Sequence, residues 1–330
     1  MHYSDWKVAI LGFGVEGKDA ARYFLGQKSI ITVFDKKEEK ELLDGKWKNT
    51  PITFKTGEDY LKNGIRGFDL VVRSPGFYRF MAEIVDAGRK GAKITSNTNL
   101  FFEESEANII AVTGTKGKGT TAKMLELGLK AAGKSALVLG NIGEPMLDHI
   151  EDADTFDWVI LELSSFQTID LKLSPKIAIV TNITVEHLNW HKDREEYVAA
   201  KENLWRMQTK DDFVVFNADD ETSRELSKTA LGQVVWFSTQ RKVQGAYFDG
   251  NKVVVNFGGK VHVGTKDLRV PGEHMLSDAL AALVGAVVAR ADPKLAWKGI
   301  ADYKGAPHRM EEITTIDGVL FINDSFATTP

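Results

Sequence analysis

Asn108-Ile109-Ile110-Ala111-Val112-Thr113-Gly114-Thr115-Lys116-Gly117-Lys118-Gly119-Thr120-Thr121 runs from an apolar, β-rich segment into a glycine-rich turn and then into helical spacing. Strand, turn and helix in that order gather successive backbone N–H groups around one point. Such a nest holds an anion, and Lys118 can reach the β- and γ-phosphates of a nucleotide as a point charge. The segment is not a strict Walker sequence. It is shorter than G-x-x-x-x-G-K-[ST], and Gly119 follows the lysine. Thr120 or Thr121 then has to supply the hydroxyl for Mg²⁺. The competing reading is a glycine-rich turn with no ligand.

Outward from this turn, short apolar runs alternate with helical patterns. Residues 7–11, 31–34, 69–73, 108–113, 136–140, 158–163, 177–183 and 213–217 read as strands, with helices such as 120–132 and 195–206 between them. Strands that are apolar on both faces and joined by helices form a parallel sheet covered on both sides. Residues 245–270 differ, because Asp249-Gly250 is a hairpin turn between alternating runs. They read as a small antiparallel sheet attached to the second α/β unit. The fold class is therefore α/β. A Rossmann-like domain is expected at 1–97 and a P-loop domain at 98–305, with residues 306–330 as the start of a third α/β domain that is otherwise missing. The 330-residue length suits about two domains at roughly 150 residues each.

A second strand–glycine–helix opening lies at Gly12-Phe13-Gly14-Val15-Glu16-Gly17, with Asp35 ending the next strand 18 residues beyond Gly17. Glycines here let a phosphate approach the backbone at a helix N-terminus, and an acidic residue at that spacing can take ribose or base hydrogens. The local sequence admits NAD, another nucleotide-like ligand, or tight strand–helix packing alone.

Three further stretches carry chemistry. Glu162, at the end of the 158–163 strand, is placed either to hold Mg²⁺ against phosphates or to sit in solvent. His187 and His191 have i, i+4 spacing, but no acidic or Cys partner has zinc spacing, so a His joining carboxylates around Mg²⁺ is favoured. Lys201 follows on a helix, where its local reading is an exposed side chain.

Composition closes several routes. Lys plus Arg total 42 against 46 Asp plus Glu, a net charge of −4, which argues against nucleic acid as a partner. With no Cys there are no disulfides, thiolate metal sites or thiol nucleophiles. The start lacks a signal-peptide apolar region, and the longest apolar run, Ala279 to Ala289, is eleven residues and too short for a bilayer. A soluble, cytoplasmic, monomeric chain without membrane contact is expected.

Taken in order, Thr113–Thr121, Leu161–Gln167, Asn182–His191, Tyr197–Lys201, Asn217–Asp220, Gly272–His274 and Pro307–Arg309 resemble the Mur ligases over essentially the whole chain. Glu162-Leu163-Ser164-Ser165-Phe166-Gln167, Ser74-Pro75-Gly76, Gly140–Gly143 and Asn323-Asp324-Ser325 with Ala327-Thr328 resemble the D-glutamate-adding branch of that family.

The resemblance implies ATP-dependent amide bond formation between UDP-N-acetylmuramoyl-L-alanine and D-glutamate, through an acyl phosphate. It moves the first glycine loop from NAD to the UDP substrate, with Gly14, Val15, Asp35, Ser74, Pro75, Gly76, Asn141, Ser164 and Gln167 on the substrate. It assigns ATP to Gly114, Thr115, Lys116, Gly117, Lys118, Gly119, Thr120, Thr121, Arg309 and Asp324. Thr120, Glu162, His187 and Lys201 would hold two Mg²⁺ ions, with Lys201 carbamylated, and Lys118, Glu162, His187 and Lys201 would form the catalytic set.

Gly119, Met275, Asn189 and Phe326 depart from the family pattern. Because the third domain of relatives supplies most D-glutamate contacts, these 330 residues are expected to complete little ligation. The alternatives are another ligase of the class, an NAD(P)-binding oxidoreductase, and a nucleotide-binding regulatory module.

Overall fold

A computed structural model describes residues 2–43, 45–184, 190–305, 311–323 and 325. The first unit contains β1 (Lys7–Leu11), α1 (Val15–Gly26), β2 (Ile30–Asp35), α2 (Glu39–Leu42), β3 (Thr53–Thr56), β4 (Leu70–Arg73), α3 (Ala82–Arg89), β5 (Lys93–Thr95) and α4 (Asn97–Glu104). Its strands form a parallel sheet in the order β3-β2-β1-β4-β5. The chain winds one way from β1 to β2 and the other way to β4, so a crevice opens beyond the C-terminal ends of β1 and β4.

The second unit contains β6 (Ile109–Thr113), α5 (Lys118–Ala131), β7 (Ala136–Gly140), β8 (Trp158–Glu162), α6 (Ser165–Thr168), β9 (Ile177–Val180), α7 (Arg194–Glu202), β10 (Phe213–Asn217) and α8 (Glu221–Leu226). It continues through β11 (Gln233–Ser238), β12 (Gly245–Asp249), β13 (Lys252–Asn256), β14 (Lys260–Gly264), α9 (Glu273–Val288) and α10 (Pro293–Ala301). Among the described residues these strands make one sheet, ordered β14-β13-β12-β11-β10-β9-β6-β8-β7. The expected hairpin at Asp249-Gly250 is present, Gly250 having φ +68°. It is not detached. β12 pairs parallel with β11, and β13 and β14 extend the same sheet antiparallel. β15 (Glu311–Ile316) and β16 (Val319–Asn323) pair as an antiparallel hairpin.

Alternation along the central strands builds the core. Val8 and Ile10 of β1 join Ile109 and Ala111 of β6 in one buried cluster that both sheets share. Ala9 and Leu11 face a separate cluster on the far side of the first sheet, and Ile110 and Val112 face one on the far side of the second. Strands apolar on both faces thus reflect two covered faces. The apolar run 279–289 lies mostly in α9, which is buried nearly all round. No helix among the described residues is long and apolar enough to cross a membrane.

β3, β5 and β11 have no counterpart in the sequence reading. β3 is a four-residue edge strand with alternating exposure and β5 has three residues, so neither produces an apolar run.

Candidate functional site

The phosphate-type turn links β6 to α5, and its shape depends on glycine at two points. Gly114 has φ +150°, and a Cβ there would fall 1.9 Å from Thr181 Oγ1. Gly117 has φ +79°, and a Cβ would fall 2.1 Å from Asp278 Oδ1. The residues after β9 brace the turn. Thr115 N–H donates to the Asn182 carbonyl (2.8 Å), and the Asn182 amide pairs with both the N–H and the C=O of Lys116 (3.1 and 3.0 Å). Thr181 Oγ1 also donates to the Lys116 carbonyl (2.6 Å). Lys118 Nζ donates to Thr115 O (2.9 Å), folding its ammonium back over the turn.

From below, α7 presents Tyr197 and Lys201, which share a helix face at i, i+4. The Tyr197 hydroxyl lies 2.9 Å from Thr115 Oγ1, and Lys201 Nζ donates to Gly114 O at 2.7 Å. Lys201 is 1% exposed, so the exposed reading from local sequence is corrected. The α7 face packs on the turn, and the ammonium is buried on the carbonyl it meets there.

Glu162 is 2% exposed, which excludes the solvent-facing alternative. Register pairs it with Val112, two residues before Gly114, and its carbonyl accepts from Asn141 N–H (3.0 Å). Thr120 stands half-buried in the first turn of α5. A buried carboxylate and a hydroxyl beside a phosphate-type nest form an oxygen donor set suited to Mg²⁺. Among the described residues no group of three or more His, Asp and Glu could hold a metal by itself. His191 does not support the zinc alternative, since its Nε2 lies 2.9 Å from Ser165 Oγ and its Nδ1 3.4 Å from Glu196 Oε2. His187, Arg309 and Asp324 lie outside the described residues, as do Asn189 and Phe326.

The first glycine loop occupies the crevice of the other sheet. Gly12 has φ +89°, and a Cβ on Gly17 would fall 1.9 Å from the Gly12 carbonyl, so the loop and α1 close on each other. Gly14 and Val15 face solvent, with Val15 73% exposed. Ser74, Pro75 and Gly76 follow β4 at the same edge. Asp35 has both oxygens engaged by backbone, from Phe13 N–H (2.7 Å) and Lys37 N–H (2.8 Å), so here it shapes the loop. Ser164 and Gln167 cap α6 reciprocally, and Asn141 is exposed beyond β7.

Polar contacts hold the two sites together. Arg73 makes a bidentate ion pair with Asp170 (3.1 and 2.9 Å) and donates to the Phe166 and Phe77 carbonyls. Asp19 on α1 accepts from Leu147 N–H and Asp148 N–H (3.1 and 3.0 Å). Burial pushes its carboxyl up to about 6 against those bonds. Gln167 Nε2 donates to Glu16 Oε1 at 2.7 Å.

Sequence reasoning gave no role to Arg73, Asp170, Glu16, Tyr197 or Asp278. Asp278 is buried under the turn, and burial raises its carboxyl well above the usual range, opposed by Thr121 and Lys118. An Asp immediately before the apolar run 279–289, and within the span of α9, is the sequence signal for it.

Family models match both units: a Mur ligase middle domain at residues 112–286 and a Mur ligase MurD-like N-terminal domain at 6–96. The chain belongs to the Mur ligase family. Among its curated relatives, the UDP-N-acetylmuramoylalanine--D-glutamate ligase of Acetivibrio thermocellus is 38% identical over 329 residues, covering 98% of this chain and 70% of the relative. The ligase of the same name from Ruminiclostridium cellulolyticum is 33% identical with the same coverage. The chain thus spans 70% of the length of these Mur ligases. Solved structures agree in fold. The UDP-N-acetylmuramate:L-alanyl-gamma-D-glutamyl-meso-diaminopimelate ligase of Neisseria meningitides has a TM-score of 0.64 at 19% identity, covering 92% of this chain and 99% of that one. The UDP-N-acetylmuramate-alanine ligase of Thermotoga maritima scores 0.58 at 23% identity, covering 97% and 74%.

Proposed function

We propose that this Mur ligase joins D-glutamate to UDP-N-acetylmuramoyl-L-alanine at the expense of ATP. The observation that carries the reading is the braced turn Gly114–Thr121 beside buried Glu162 and Lys201, in a chain 33–38% identical to D-glutamate ligases of this name. The division adopted is a UDP-substrate unit at residues 1–97, an ATP unit at 98–305 and a segment of a third unit from 306.

In this reading the L-alanyl carboxylate attacks the γ-phosphorus and ADP leaves. The D-glutamate amine then displaces phosphate from the acyl phosphate. Two anions must meet, so positioning and charge compensation carry the rate. The nest N–H groups and Lys118 bind and orient the phosphates. Thr120, Glu162, His187 and a carbamylated Lys201 would hold two Mg²⁺ ions, which supply further charge neutralisation when bound. The loop 12–17 and residues 74–76 would hold the UDP portion, and Asn141 would face the muramoyl-linked part. Arg309 and Asp324 would add to the ATP contacts.

The test is calorimetric titration of the chain with UDP-N-acetylmuramoyl-L-alanine, with Mg–AMP-PNP and with NADH. Saturable binding of the first two and none of NADH is expected. NADH binding without UDP-substrate binding would overturn the reading and restore the oxidoreductase alternative.

A further inference from the structure

Resting on that assignment of the two sites, we infer that Glu16 and Gln167 are a positioning pair that couples occupancy of the UDP-substrate loop to occupancy of the nucleotide turn. Their 2.7 Å hydrogen bond spans 151 residues of sequence and joins the start of α1 to the start of α6.

On one side, Glu16 lies inside the glycine loop. The close approach of Gly17 to the Gly12 carbonyl makes that loop and the first turn of α1 move together. The Glu16 carbonyl accepts from Asn97 Nδ2 (2.9 Å), which fixes its backbone. Its carboxyl bonds through one oxygen, while Oε2 is buried without a hydrogen-bond partner. The bond to Gln167 is therefore the restraint on its orientation.

On the other side, Gln167 has no freedom to compensate. Its Oε1 accepts from Ser164 N–H (2.9 Å) and Ser164 Oγ (3.0 Å). Ser164 adjoins Leu163, whose N–H donates to Val112 O and whose carbonyl accepts from Thr113 Oγ1, both at 2.9 Å. Glu162 is the next residue back. A shift of Glu16 when the first loop fills is passed through Gln167 and Ser164 to the base of the nucleotide turn. The Arg73–Asp170 pair also docks the two units, through a bond that does not include Glu16. Loss of the Glu16 bond should therefore leave them assembled but uncoupled.

The experiment measures Mg–AMP-PNP affinity of the full chain with and without saturating UDP-N-acetylmuramoyl-L-alanine, and the reverse titration, since coupling is reciprocal. The unmodified chain should bind each ligand about five-fold or more tightly in the presence of the other. Glu16→Leu should bring that ratio below about two-fold, with AMP-PNP affinity alone unchanged, while Glu16→Gln, which keeps an acceptor oxygen, should retain it. Thermal unfolding of each variant confirms that it is folded. A ratio near one in the unmodified chain, or an undiminished ratio in folded Glu16→Leu, overturns the inference. Failure of the unmodified chain to bind either ligand overturns the site assignment beneath it, and is seen before any variant is compared.

Discussion

Lys201 Nζ donates a 2.7 Å hydrogen bond to the Gly114 carbonyl from beneath the glycine-rich turn after β6, on a side chain that is 1% exposed. The same ammonium lies 4.7 Å from the centre of the Tyr197 ring. Removing it with Lys201→Ala takes away a charged hydrogen bond and leaves a cavity, at a cost of about 2–4 kcal/mol. Urea unfolding should register that loss, and Mg–AMP-PNP binding should disappear with it. If this lysine takes up CO₂, protein equilibrated with ¹³C-bicarbonate should show a carbamate carbon resonance that is absent in Lys201→Arg.

Gly117→Ala tests the shape of the turn. A φ of +79° alone costs an L-residue roughly 1–2 kcal/mol. The added methyl would also fall 2.1 Å from Asp278 Oδ1, on a buried side chain that cannot swing into solvent. Nucleotide affinity should drop more than about ten-fold, which corresponds to 1.4 kcal/mol. Wild-type affinity in this variant, measured by calorimetry, would show that the turn is not where phosphate binds.

Lys118→Ala should fold normally, since Lys118 is half-buried at the surface of the turn. A lost charged contact of about 1.5–3 kcal/mol predicts roughly 10- to 150-fold weaker AMP-PNP binding, with UDP-substrate binding alone unaffected. Equal loss for both ligands would point to unfolding.

Arg73 and Asp170 form a buried, bidentate pair with side chains 1% and 9% exposed. Replacing Arg73 by Ala takes the bidentate partner from a buried carboxylate and leaves it the longer contact to Arg79 (3.6 Å), so a loss of about 3 kcal/mol is expected in chemical denaturation. Arg73→Lys should recover only part of it, because a single ammonium cannot reproduce the fork to Asp170 and to the Phe166 carbonyl.

Stability should also depend on Glu16. Burial, reinforced by Asp19 and opposed by Gln167 and Arg73, pushes its carboxyl up to about 7 from an ordinary 4.5. A raised carboxyl pKa favours the protonated folded state, so this contribution is present below 4.5 and is lost as pH rises through 4.5 to 7. The loss is on the order of 1–3 kcal/mol. Glu16→Gln should flatten the dependence of melting temperature on pH across that window and raise it at pH 8. An unchanged pH profile in this variant would remove Glu16 as its source.

Much of the architecture was legible because it rests on local patterns. The apolar runs at 7–11, 109–113 and 158–162 are buried on both faces, and that burial forces their composition. Gly114 and Gly117 announce a turn because backbone with positive φ and side-chain neighbours under 2.5 Å leave no room for a Cβ. β3 and β5 stayed hidden, being too short and too exposed to show a period.

The sequence by itself determined the two α/β units, the strand–turn–helix at 113–121 and the acidic residue at the end of β8. Each follows from spacing within some fifteen residues. Only the tertiary structure decided that Lys201 is buried under Gly114, that Asp278 lies against Gly117 and that Glu16 meets Gln167. Those relationships join residues 87, 161 and 151 positions apart. Their contact depends on how helices settle on a sheet, and no local propensity encodes that.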